Sequence, residues 1–388
     1  MPTIGAGTTA PVTNQAASAP RNILPITVNR GPANTVNLPF ASVTVCVPGS
    51  NVLCQTVDGI LIDTGSTGLR IHASLLSAVS LPQQVDASGN PVTECAQFAD
   101  GFTWGSVKLA DVKIAGEHAD GLPIQLIGDP AFPRVPINCF STGRSRSTVQ
   151  TLGANGILGV APFRHDCGDA CVASGSPGIY YVCGASGCQP AARPLAEQIT
   201  NPVARFADDN NGVLIELPAV PATGAASVDG SLFFGIGTQP NNALGNASVF
   251  VVSALTGGVT TFYKGNIIDH SIFDSGSNAL FFGDAGIPVC TSHTAPGFDC
   301  PVSPQNLSAT IQGMNGTNAS VNFSVGNADV LLATGFSAFN NLAAPMAAAS
   351  FALPSFDWGL PFFFGRRVFV AIEGANVPGA PSGPFVAF

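Results

Sequence analysis

Short runs of alternating apolar and polar residues, each closed by glycine or proline, follow one another along nearly the whole chain. "NTVNLPFASVTVCVPG" (34–49) alternates with period two and stops at Pro48-Gly49, which predicts a half-buried strand ended by a turn. "CQTVDGILIDTGS" (54–66) predicts a second strand that runs into a small-residue turn. "AQFADGFTWGSVKLADVKIAG" (96–116) predicts a hairpin turning near Asp100-Gly101, then a long alternating strand. "LPIQLIG", "NGILGV" (155–160), "GVLIELP" and "GSLFFGIG" add further strands. Helical spacing shows best in 194–211, at Leu195, Ile199, Val203 and Phe206, and Pro202 divides it into two short helices.

The second half repeats the order of the first. "ILIDTGSTGLRI" (60–71) and "SIFDSGSNALFF" (271–282) each place one acid after an apolar strand and before a Gly-Ser turn. Asp63 and Asp274 lie 211 residues apart, and each is followed by hairpins and a glycine-bearing apolar run. An internal duplication accounts for this pattern. A lone buried carboxylate is costly. Two of them related by a pseudo-twofold axis can share a proton, so that one acts as base and the other as acid. In such an arrangement Gly65 and Gly276 let the backbone approach the carboxylates. Thr64 and Ser275 have hydroxyls able to bond across to the opposite motif, and Ser66 and Ser277 can fix the outer carboxylate oxygens.

Composition narrows the remaining choices. With 46% hydrophobic and 10% charged residues the chain can bury a large core, and 44 Gly with 31 Pro favour short strands and tight turns. A net charge of −9 argues against nucleic acid as a partner. The basic run Arg144 to Arg146 reads as a solvated loop. The apolar stretch 330–354 is interrupted by Asn340, Asn341 and Pro345, so no transmembrane segment is expected. Residues 1–35 read as a flexible leader without a signal-peptide core.

Ten cysteines in close pairs suggest disulfides and an oxidising compartment. The expected bonds are Cys46–Cys54, Cys95–Cys139 and Cys290–Cys300, plus two among Cys167, Cys171, Cys183 and Cys188, whose pairing the spacing leaves open. A zinc site on those four is the rival reading, with spacing looser than the usual knuckles. No metal and no cofactor are expected.

From about residue 36 the chain resembles the pepsin-like aspartic peptidases, most like a bacterial branch of that superfamily. "ILIDTGSTGL" and "SIFDSGSNAL" resemble its two catalytic loops, "NGILGV" and "DWGLPFFFGRRVFVAIEGANVP" its supporting runs, and "GFTWGSVKLADVKIAG" its flap hairpin. The resemblance implies an all-β, two-lobed fold with pseudo-twofold symmetry and a few short helices. An N-terminal lobe of 36–239, with a cysteine-rich insert at 164–192, would precede a C-terminal lobe of 240–388. It also implies an aspartic endopeptidase with Asp63 and Asp274 catalytic, secreted, periplasmic or at the cell surface, monomeric, acting on peptides or proteins. Phe98, Asp100, Gly101, Phe102 and Trp104 of the flap, with Arg70 and Asn278, would line the substrate cleft. The flap lacks the family's tyrosine, and Arg70 stands where the family has an aromatic. Two other readings follow: a catalytically silent relative binding a peptide, protein or glycan in the interlobe cleft, and a glycoside hydrolase, which needs carboxyls about 5 Å or more apart.

Overall fold

The structure is a computed structural model that describes residues 21–346 and 355–388. The first 20 residues, and the part of the 330–354 apolar stretch from 347 onward, lie outside the described residues. Among the described residues no helix is long and apolar enough to cross a membrane. The fold is all-β and two-lobed, built on two curled sheets.

The larger sheet has 16 strands. One end of it is Ile23–Asn29, Val228–Phe234, Gly212–Leu217, Arg366–Ala371, Phe385–Ala387 and Val249–Val251, paired in that order and antiparallel. These strands join segments from near the two ends of the chain with segments from its middle. Ile23–Asn29 falls inside the expected leader, yet Leu24, Ile26 and Val28 are buried on one face and the strand also pairs Leu38–Cys46. Period-two alternation in "ILPITVN" is enough to anchor it. The smaller, seven-stranded sheet belongs to the second half.

Each lobe contains the same three-strand unit. In the first, Cys54–Asp63 runs parallel to Gly156–Val160, which pairs antiparallel with Thr67–His72. In the second, Asn266–Asp274 runs parallel to Ser355–Gly359, which meets Leu280–Phe281. Asp63 stands opposite Gly159, and Asp274 opposite Gly359. These glycines are obligatory. A Cβ on Gly159 would lie 2.7 Å from the Ser66 carbonyl oxygen, and one on Gly359 would lie 2.0 Å from that of Ala279.

The division of 194–211 at Pro202 into two short helices holds, but both are 3₁₀ and neither is an α-helix. The chain forms two single 3₁₀ turns, Leu195–Glu197 and Pro202–Arg205. Pro202 removes a donor, and Asn201 caps the second turn by accepting from the Val203 N–H at 3.1 Å. All ten cysteines are paired, as 46–54, 95–139, 167–171, 183–188 and 290–300. The cluster that spacing left open resolves into two local bonds.

Candidate active site

Asp63 and Asp274 end their strands at the junction of the lobes, and the hydrogen-bond donors of their loops match one for one. Asp63 accepts from the Gly65 N–H (2.7 Å) and the Ser66 hydroxyl (2.5 Å). Asp274 accepts from the Gly276 N–H and the Ser277 hydroxyl, both at 2.7 Å. The backbone is locked across the axis. Thr64 Oγ1 donates to the Phe273 carbonyl (2.8 Å) and accepts from the Ser275 N–H (2.9 Å). In return Ser275 Oγ donates to the Ile62 carbonyl (2.8 Å) and accepts from the Thr64 N–H (3.1 Å).

The two carboxyl groups face each other: a Cβ on Gly276 would lie 2.8 Å from Asp63 Oδ1 and 3.1 Å from Asp274 Oδ1. Each glycine also faces the opposite acid: a Cβ on Gly65 would lie 2.6 Å from Asp274 Cγ, and one on Gly276 would lie 2.8 Å from Asp63 Cγ. Burial, then the Asp63 charge, then that of Asp357 raise Asp274 well above the ordinary carboxylate range. The pair therefore keeps one proton where isolated aspartates would have none. Such a pair can take a proton from water at one oxygen and give one at another.

The flap residues are distributed differently from the expectation. Val92–Phe98 and Gly101–Ile114 form the hairpin, with Phe98 opposite Gly101. Phe102 and Trp104 point away from the cleft into a buried cluster with Cys95, Cys139 and Tyr181. Strand alternation explains this, because Gln97 and Phe102, and Cys95 and Trp104, are cross-strand partners on one face. The opposite face carries Glu94, Ala96 and Phe98. Of the three aromatics expected in the flap, only Phe98 is partly exposed, packed beside Leu38, Phe40 and Leu61.

The tip is tied down. Arg146 forms an ion pair with Asp100, Gly101 pairs with Arg144, and Thr142 Oγ1 donates to the Gly101 carbonyl at 2.8 Å. The basic run read as a solvated loop is thus a clamp on the flap. The insert adds a second restraint: its strand Tyr180–Gly184 pairs with Val92–Phe98 and extends the flap into a wider sheet.

Arg70 does not line the cleft. It is 3% exposed, and its guanidinium meets Glu94 of the flap at 2.5 Å and Asp166 of the insert at 3.4 Å. Tyr180 donates to Asp166 at 2.5 Å. Burial works against the Arg70 charge, but the facing Glu94 and Asp166 raise its pKa further. Burial and then the Glu94 charge push Asp166 well up. Arg70 therefore bolts the flap and the insert to the strand after the first acidic loop. Asn278 is partly buried, and its carbonyl accepts from Asn37 at 3.0 Å.

Four residues of the site escaped the sequence reading. Glu94, Asp166 and Tyr180 belong to the Arg70 cluster, and Asp357 lies beneath Asp274. The one signal for Asp357 was an acid inside the apolar run "SFDWG".

Residues 18–388 match the family described as "Protein of unknown function (DUF3443)". The chain belongs to that family. Among curated proteins no match to this DUF3443 chain is found. Among solved structures it is similar to the aspartic proteinase from Irpex lacteus, with 14% sequence identity and a TM-score of 0.55. That alignment covers 94% of the DUF3443 chain and 96% of the proteinase. The likeness is one of fold: a pepsin-like architecture over nearly the full length of both chains.

Proposed function

We propose that this protein is an aspartic endopeptidase whose Asp63 and Asp274 form the catalytic pair. The observation that carries the reading is a pair of facing carboxyls held by matching Gly and Ser donors on symmetry-related loops. In this mechanism water bridges the pair. Asp63, as carboxylate, removes a proton as the water oxygen bonds to the peptide carbon, and Asp274 gives its proton to the carbonyl oxygen. The resulting gem-diol collapses when a hydroxyl proton returns to the pair and the amide nitrogen is protonated, breaking the C–N bond. No covalent enzyme intermediate is needed. Thr64 and Ser275 hold the loops rigid, and Ser66 and Ser277 orient the outer oxygens.

Five disulfides fit an oxidising compartment, so we place the enzyme outside the cytoplasm, in a bacterial setting, as a monomer on peptide or protein substrates. The tied flap favours a second reading, a silent relative that binds its ligand in the cleft. A peptide library incubated across acidic to neutral pH separates the two. New termini with wild type, lost in Asp63→Ala and Asp274→Ala, support the peptidase. Binding of a statine-type analogue without turnover of any peptide supports the silent relative.

A further inference from the structure

The chain bridges the two lobes at Val36-Asn37-Leu38. Val36 packs in the core of the second lobe with Ala279, Phe339 and Leu342. Leu38 packs in the first with Leu61 and Ile157, against Phe98 of the flap. Asn37, between them, is completely buried, and its φ of 53° lies in the left-handed region, which asparagine tolerates better than most residues. In the sequence it reads only as one polar position in an alternating run.

The Asn37 amide places both of its hydrogens. Its Nδ2 donates to the Asn278 carbonyl at 3.0 Å and to the Phe339 carbonyl at 2.9 Å, and its Oδ1 accepts from the Phe339 N–H at 2.7 Å. The Asn37 backbone N–H donates to the Ser337 carbonyl at 2.8 Å. Asn278 follows Ser277, whose hydroxyl donates to Asp274 Oδ2 at 2.7 Å. On its other side Asn37 leads into the strand Leu38–Cys46, which pairs through Phe40 and Leu61 with the strand that ends at Asp63. One side chain therefore joins the two acid loops by a route separate from the Thr64 and Ser275 bonds.

The first lobe shows why the second takes its donor from outside. Thr67 stands four residues after Asp63, as Asn278 does after Asp274. The Thr67 carbonyl accepts from Arg70 Nη1 at 2.7 Å, within its own strand. The residue matching Arg70 is Phe281, whose side chain has no donor. A backbone carbonyl withdrawn from water needs a hydrogen, and Asn37 supplies it from the other lobe.

We propose that Asn37 is a positioning residue for the second acid loop: through the Asn278 carbonyl it fixes where that loop, and with it Asp274, sits relative to Asp63. Its hydrogen bonds go to backbone groups, so it acts only through the chain it holds. The catalytic part of this inference rests on the endopeptidase reading; the hold on the loop does not.

Asn37→Gly suits the left-handed backbone and removes the three side-chain bonds. Asn37→Asp keeps the shape and the bond from the Phe339 N–H but, ionised, has no hydrogen for either carbonyl. The first arm reads amide hydrogen exchange by mass spectrometry in fragments covering 275–282 and 64–71. In both variants exchange in 275–282 is expected to rise about tenfold or more over wild type, with 64–71, held by Arg70, little changed. An equal rise in both fragments, or none in either, would overturn the hold on the second loop. The second arm reads cleavage of a peptide, with active molecules counted by titration with a statine-type analogue. Each variant is expected to lose roughly 10- to 100-fold in kcat, with KM within about twofold of wild type. Asn340→Ala serves as the reference: Asn340 comes from the same segment as Phe339, but its Nδ2 donates to the Val220 carbonyl at 3.0 Å, and it is expected to keep wild-type kcat. An unchanged kcat in the Asn37 variants, or an equal loss in Asn340→Ala, would overturn the positioning role. Failure of the endopeptidase reading looks different: wild type cleaves nothing, while the exchange arm still decides the hold on the loop.

Discussion

The two lobes give the same loop to their acids but different surroundings. Counting from each acid, Arg70 and Phe281 occupy the same position, and each lies beside the supporting strand, next to Ile157 and Asp357 respectively. The first lobe therefore puts its buried ionisable group on the strand after the loop and keeps its supporting strand apolar. The second lobe does the reverse. Arg70 spends its charge on Glu94 and Asp166, which bind the flap and the insert. Asp357 lies on the strand beside Asp274, buried between Ile272 and Phe281. Symmetry holds for the donors around the two carboxyls and breaks one layer further out.

The largest break in this comparison is expected at Arg70. Arg70→Met leaves Glu94 and Asp166 buried without a cation and is expected to lower stability by about 3–5 kcal/mol, measured by chemical denaturation. Asp357→Ile, the matching change to an apolar residue in the second lobe, is expected to be neutral or stabilising by about 1–4 kcal/mol near pH 7. Equal destabilisation by both would mean that the lobes do not divide their charges as described.

Gly65→Ala and Gly276→Ala probe the part that is symmetric. Each added methyl intrudes on the opposite acid, and each is expected to lower kcat/KM by roughly 10²-fold while leaving the fold intact. A large effect at only one glycine would show that the loops are not equivalent.

The smallest expected effect is on pH dependence, where two buried groups oppose each other. His72 follows the first loop, and burial lowers it to about 4. Its contribution is present above the ordinary imidazole value of 6.5 and is lost as pH falls toward about 4. Asp357 has the opposite sign, its contribution fading as pH rises toward about 8. His72→Gln should therefore flatten the loss of stability in acid, and Asp357→Asn the loss toward neutrality, each by up to about 1.4 kcal/mol per pH unit. Thermal melts of both variants across that range check the two signs.

Much of the fold and the core of the site could be read from sequence, for identifiable reasons. Asp63 and Asp274 stood out because duplication repeats their context, and Gly, Thr and Ser around them have few other uses in such a turn. Cys46–Cys54 and Cys290–Cys300 could be read from close spacing, whereas four cysteines within 22 residues left the pairing of 167–188 open until the fold placed 167 beside 171 and 183 beside 188. The Arg70 cluster could not be read, because its partners lie 24 and 96 residues away and no local pattern joins them. Phe102 and Trp104 were assigned to the cleft because a hairpin has two faces, and which one is covered depends on residues 132–140 and 180–190 folding back over it. Ile23–Asn29 was lost in a Pro- and Ala-rich context although its own alternation is clear. Asp357 reads as an oddity in an apolar run, because the strand Asn266–Asp274 that neighbours it is far away in sequence.

If Asp63 and Asp274 act as one unit in peptide hydrolysis, kcat/KM on a cleaved peptide for wild type, Asp63→Asn and Asp274→Asn, each checked for an intact fold, tests it directly. Either amide alone is expected to lower kcat/KM by roughly 10⁴-fold or more, with the double variant scarcely worse. Either single variant retaining wild-type cleavage would contradict it.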